Sequence, residues 1–137
     1  MTETGVNSIN TTALAFIGDA VYEVFIRNRV LCKYGQNADR LHREAVRYVK
    51  ADAQAEVVRR LTEEGFLTEE EENLVRRARN RRIKSKARGA SPMDYKLATA
   101  FEALIGHLHL SGRYERAEEV MEKAAEIIET PRERTKK

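Results

Sequence analysis

A chain of 137 residues with 34% charged side chains, two prolines and seven glycines is sized for one domain that hides about two thirds of its unfolded surface. Its net charge of +3 is too small to name a partner, and its single cysteine, Cys32, excludes an internal disulfide and fits a reducing cytoplasm. The longest apolar run falls short of a membrane span and carries Asp19, Glu23 and Arg27, while the polar first twelve residues lack the basic start of a signal peptide.

No segment alternates with the period of two that strands require, so an all-α fold is expected, a single domain over residues 1–137 with flexible ends at 1–9 and 131–137. Asn10, Thr11 or Thr12 caps the first long helix, which runs to about Cys32 and stops at Tyr34-Gly35. Within it Leu14, Ile17, Val21, Val24 and Phe25 recur at steps of three and four, the spacing of a buried face. Gly18 and Asp19 interrupt that face, and both are poor helix formers. A carboxylate between Ile17 and Val21 is expected at the edge of the core, where an unpaired charge is costly. Glu23 follows one turn later on the same side.

Asn37 or Asp39 caps a second helix through Leu41, Ala45, Tyr48 and Val49, with Arg40, His42, Arg43 and Arg47 outward. Asp52 caps a third, with Ala55, Val58 and Leu61 inward and Gly65 at its end. Thr68 and Glu71 form a capping box for a fourth. That helix changes sign along its length: residues 63–72 hold six glutamates and no base, whereas 76–88 hold eight bases and no acid. A solvated helix face with dipole matching accounts for the last turn only. Eight uncompensated bases passing into a loop at Gly89 read better as a polyanion site made of Arg76, Arg77, Arg79, Arg81, Arg82, Lys84, Lys86 and Arg88.

Asp94 caps a fifth helix from Tyr95 to Leu110, where Glu102 is again an acid inside an apolar, small-residue run. Small residues let helices approach closely, so this helix is expected to cross the first near Gly18 and Gly106. A sixth helix, Tyr114 to Ile128, carries Ala117, Val120, Met121, Ala124 and Ile128 on one stripe. His107 and His109 point to different sides of their helix and form no metal pair. Cys32 reads as a small hydrophobe.

Two acids on two closely crossing helices imply a shared site. Facing carboxylates repel unless a proton, an arginine or a divalent cation lies between them. Oxygen-only ligands suit a hard ion, Mg²⁺ with Mn²⁺ as a substitute. A basic segment beside such a site fits metal-assisted phosphodiester chemistry.

These two stretches also resemble a known family. Leu14-Ala15-Phe16-Ile17-Gly18-Asp19-Ala20-Val21 resembles the ribonuclease III signature, Leu-Glu-Phe-Leu-Gly-Asp before a small residue and Val. Ala98-Thr99-Ala100-Phe101-Glu102-Ala103-Leu104-Ile105-Gly106 is similar to that family's Ala-Asp-Ala-Phe-Glu-Ala-Leu-Ile-Gly. The resemblance covers residues 10–112. Ala15 and Thr99 stand where the family has two further acids, a departure that, with Tyr22-Glu23 and Arg79-Asn80, looks like the Mini-III branch.

The resemblance implies a helical fold of about six or seven helices, a twofold homodimer and no separate RNA-binding domain. It also implies Mg²⁺-dependent cutting of double-stranded RNA into 5′-phosphate and 3′-hydroxyl ends, in precursor 23S ribosomal RNA, with a ribosomal protein as a conceivable helper and no membrane partner. It assigns Asp19 and Glu102 as catalytic residues and metal ligands. Glu23 then either borders the site or only pairs with Arg27, and Thr99 either orients a water or only packs. Arg40, His42 and Arg43 join the basic segment as RNA contacts. The alternatives are a dimer that binds ribosomal RNA without cutting it, for which the two missing acids speak, and an RNA-free helical adaptor.

Overall fold

A computed structural model describes residues 2–81 and 91–130. Seven helices follow one another: α1 (Glu3–Asn7), α2 (Thr11–Tyr34), α3 (Ala38–Val49), α4 (Ala51–Glu63), α5 (Glu69–Asn80), α6 (Pro92–Leu110) and α7 (Tyr114–Glu129). The described residues contain no strand, and no helix among them is long and apolar enough to cross a membrane.

α6 is the hub, packed against α2, α4, α5 and α7. Its Ala100, Phe101, Ala103, Leu104, Ile105 and Leu108 are all fully buried, so it has almost no solvent face. Asn10 caps α2 through the Ala13 amide, Asn37 caps α3 through the Arg40 amide, and Thr68 and Glu71 make the reciprocal capping box of α5. Gly35, Gly65 and Gly112 follow α2, α4 and α6 with positive φ, a backbone region open to glycine at no steric cost.

Several expectations are corrected. Within residues 2–9 a short helix forms, α1: Thr2 caps it, and Val6 on it is fully buried. The N-cap of α4 is Lys50, with no side-chain bond, and Asp52 lies in the first turn, where its charge matches the helix dipole. Ser91, not Asp94, caps α6, since Pro92 takes the first helical position and moves the start forward. Cys32 is exposed rather than packed.

The largest correction concerns α2. Its buried line is Leu14, Gly18, Tyr22, Ile26 and Val30, a strict step of four, while Ile17, Val21 and Phe25 are half-buried and Val24 is exposed. The glycine crossing sets that rotation. A Cβ on Gly18 would stand 1.7 Å from the Glu102 carbonyl oxygen, and one on Gly106 would stand 2.0 Å from that of Leu14. Backbone meets backbone at the crossing, as the small residues imply, so Gly18 must face α6. The larger side chains rotate to the flanks. Tyr22 fills the next turn, edge-on to Phe101 at 4.9 Å, with its hydroxyl donating to the Tyr48 carbonyl at 3.2 Å.

Candidate active site

Gly18 fixes the neighbourhood of both acids. Asp19 is the next residue on α2, and the atom pressed against Gly18 is the backbone oxygen of Glu102 itself. The two carboxylates therefore lie where α2 and α6 touch, close enough for Asp19 to act on the Glu102 acid. Their surroundings differ. Asp19 is exposed, contrary to its expected place at the core edge, because the rotation of α2 carries it to the rim. Glu102 is half-buried: loss of water first, and the Asp19 carboxylate second, push its acid up to about 8.

Glu23 lies one turn beyond Asp19 and adds a further negative field at Glu102. It also pairs with Arg27 at 3.0 Å. The Thr99 hydroxyl donates to the Tyr95 carbonyl at 2.9 Å, within its own helix, which favours its packing role. Ala15 is buried on α2, and its side chain offers no polar atom.

A residue missed in the sequence completes the pocket. Gln54 of α4 is 1% exposed, and its Nε2 donates to the Val49 carbonyl at 2.9 Å and reaches Glu102 Oε2 at 3.4 Å. The Gln54 Oε1 is buried and has no hydrogen-bond partner. The signal was present: Gln54 sits one turn before Val57 and Val58 on the inward stripe of its helix.

This donor set fits a hard divalent cation. It offers oxygen atoms only, none of the groups acting most strongly on Glu102 is basic, and a cation would reverse the repulsion that raises its acid. Among the described residues no group of three or more His, Cys, Asp or Glu forms a complete cage, so an ion held here would keep part of its hydration.

The basic residues are distributed around the molecule. Arg76 and Arg77 are exposed on α5, Arg79 is half-buried beside Asn80, and Arg81 caps the helix C-terminus. Arg77, Asn80 and Arg81 line an open cleft with Asn10 and Thr11 at the start of α2. Arg82, Lys84, Lys86 and Arg88 lie outside the described residues. Arg40, His42 and Arg43 are exposed on α3, with Arg40 stacked on the Tyr34 ring at 4.7 Å. His42 shares an apolar groove of about 450 Å³ with Glu23 and Arg27.

The family model of the ribonuclease III domain matches residues 12–113. Mini-ribonuclease 3 of Thermoanaerobacter sp. (strain X514) is 43% identical over 94% of this chain and 89% of its own length. Mini-ribonuclease 3 of Brevibacillus brevis is 46% identical over 90% of each chain. A crystal structure of a Fusobacterium nucleatum protein superposes with a TM-score of 0.77 at 32% identity, covering 85% of this chain and 92% of that one.

Proposed function

The chain belongs to the ribonuclease III family, beside relatives named Mini-ribonuclease 3, and on that premise we propose a Mg²⁺-dependent endoribonuclease that cuts double-stranded RNA. The observation that carries this reading is the carboxylate pair at the glycine crossing, where loss of water and the charge of Asp19 disfavour the ionised Glu102 and none of the groups acting most strongly on it is basic. A fold that needed only to pack, or only to bind RNA, gains nothing from two acids facing each other.

Asp19 and Glu102 would hold the ion, with Mn²⁺ able to substitute. A cation bound there supplies charge for the phosphate oxygens and a water ionised near neutral pH. Glu102 must be deprotonated to serve, and the ion's field favours that form. Asp19, on the exposed rim, is the acid an incoming phosphodiester meets first. Hydrolysis leaves a 5′-phosphate and a 3′-hydroxyl.

RNA duplexes present phosphates and 2′-hydroxyls rather than readable base edges. Arg76, Arg77, Arg79 and Arg81, with Arg40, His42 and Arg43, supply matching donors, and the basic residues from Arg82 to Arg88 extend the set. Cutting both strands needs two sites, which a twofold homodimer provides. The target we assign is the stem joining the ends of precursor 23S ribosomal RNA, in the cytoplasm; RNA ends mapped in depleted cells test it.

The central test is a cleavage assay on double-stranded RNA with Mg²⁺, comparing the protein with Asp19→Asn and Glu102→Gln. Both variants should bind RNA and leave it uncut. Cutting that survives in either one removes the carboxylates from the reaction. If the unaltered protein binds tightly without cutting, the ribosome-assembly module is the better reading.

A further inference from the structure

Three buried polar or charged side chains occur among the described core residues: Gln54, Glu71 and His107. Glu71 is accounted for, since it closes the capping box of α5 and accepts from Arg116 at 2.7 Å and 2.9 Å. Gln54 is not accounted for. Its Oε1 has no donor, and a buried acceptor left without one destabilises the fold. Leucine would fill the position without that cost and is as good a helix former. The Val49 carbonyl also fixes which end of the amide is nitrogen, because an oxygen there would face another oxygen. The unpaired Oε1 therefore belongs to the same amide whose Nε2 touches Glu102.

We propose that Gln54 is a positioning residue of the cation site: its Nε2 holds Glu102 in place, and its Oε1 accepts a hydrogen bond from a water in the ion's hydration shell. The inference rests on the reading of Asp19 and Glu102 as the residues that hold the ion. Two carboxylates leave most positions around Mg²⁺ to water, and ordered waters need acceptors. Ala15 has no polar side-chain atom, the Thr99 hydroxyl gives its proton to the Tyr95 carbonyl within its own helix, and Glu23 would accept only at the cost of a third negative charge. Gln54 comes from a third helix, α4, and brings a neutral acceptor that adds no repulsion to an already crowded pair of acids.

Mn²⁺ binding in the absence of RNA, followed by loss of the free-ion paramagnetic signal up to millimolar concentration, tests this directly. The half-saturating Mg²⁺ for cleavage gives a second reading on the same proteins. Gln54→Leu should weaken both by about tenfold, the scale set by partners just outside a metal's ligands, with RNA affinity unchanged. Gln54→Glu keeps an acceptor and adds charge, so it should bind the ion at least as tightly as glutamine does, although it loses the bond to Val49. A residue that merely packs would give the opposite pattern, with leucine harmless to metal binding and glutamate harmful. Unchanged Mn²⁺ and Mg²⁺ dependence in folded Gln54→Leu overturns the proposal. If leucine does not fold, Gln54→Met, unbranched and of similar length, takes its place with the same expectation. Asp19→Asn and Glu102→Gln separate the two levels. Should both bind Mn²⁺ as the unaltered protein does, the carboxylate reading fails with the proposal; should they lose it while Gln54→Leu and Gln54→Glu match the unaltered protein, only the role of Gln54 fails.

Discussion

Glu102 and Glu129 show how the same side chain is driven in opposite directions by what surrounds it. Glu102 is half-buried against another acid, so its charge destabilises the metal-free fold. Glu102→Gln should therefore raise the melting temperature in EDTA by several degrees, on the order of 2 kcal/mol, and should abolish the further rise that Mg²⁺ gives the unaltered protein. A lower melting temperature in EDTA would mean that Glu102 is satisfied as it stands. Glu129 instead accepts from Arg29 at 2.6 Å and 2.8 Å and from the Tyr48 hydroxyl at 2.8 Å, with Lys33 at 3.6 Å. These partners, Arg29 foremost, hold its carboxyl at about 2. A depressed acid stabilises the fold fully above its unfolded value and loses that contribution as pH falls through the folded one. Glu129→Gln should thus cost most at pH 7, and its deficit in urea unfolding should be smaller by about 2 kcal/mol at pH 3. A deficit of equal size at both pH values would show that the ionised form is not what ties α7 to α2 and α3.

Between helices, the decisive contact is made by what Gly18 and Gly106 lack. A methyl group 1.7 Å from the Glu102 carbonyl meets backbone, which cannot turn aside as a side chain can. Gly18→Ala must push α6 away from α2, carrying Glu102 away from Asp19. The expected cost is 3 kcal/mol or more, above the usual range for overpacking, which is about 1–3 kcal/mol. Alanine at Gly65, where φ is +66° and the Cβ position is open, carries a backbone penalty without any clash and gives the scale for comparison. If Gly18→Ala unfolds no more easily than that control, the crossing is looser than the geometry requires. On α5, replacing Arg76, Arg77 and Arg81 by glutamine should weaken RNA binding and flatten its salt dependence by up to three charges. An unchanged slope in filter binding takes that face out of the interface. The crossing and the two acids were legible in the sequence, because small residues and a mid-run carboxylate leave a local mark. The rotation of α2 was not. Periodicity favoured Ile17, Val21 and Phe25, and only the close approach at Gly18 turns Tyr22 and Ile26 inward instead. Gln54 was lost for a related reason: a glutamine on a helix reads as surface until the helix it faces is known. Val6 shows the same limit, since its burial depends on what α1 packs against and not on its polar neighbours.

For the molecule as a whole, the side of α2 that turns away from α6 is unusually apolar. Phe16 is 77% exposed and Val24 60%, and Leu31 continues the same line at steps of eight and seven. Val46 of α3 is exposed as well, and with Leu31 it lines the groove that holds Leu41, Val49 and His42. Burying large apolar groups is worth about 1.5–3 kcal/mol each, so one chain alone leaves substantial stabilisation unused along this stripe. The stripe also runs beside Asp19 and Glu23: Glu23 immediately precedes Val24, and Asp19 precedes the exposed Ala20, which lies one turn from both Phe16 and Val24. A second copy docked on it would bring two carboxylate pairs to one interface, one for each strand of a duplex. Phe16→Glu tests this without touching either acid. It puts a charge where a partner's apolar surface should lie, so sedimentation should show a species near 15.7 kDa in place of one twice that mass. The monomer should retain its helical content, since Phe16 contributes little to the core of its own chain. If the sites work across a shared duplex, double-strand cutting should fall with dimerisation and recover in part at high protein concentration. A variant that stays dimeric at micromolar concentration would place the interface on another face, and the apolar stripe of α2 would then need a different partner.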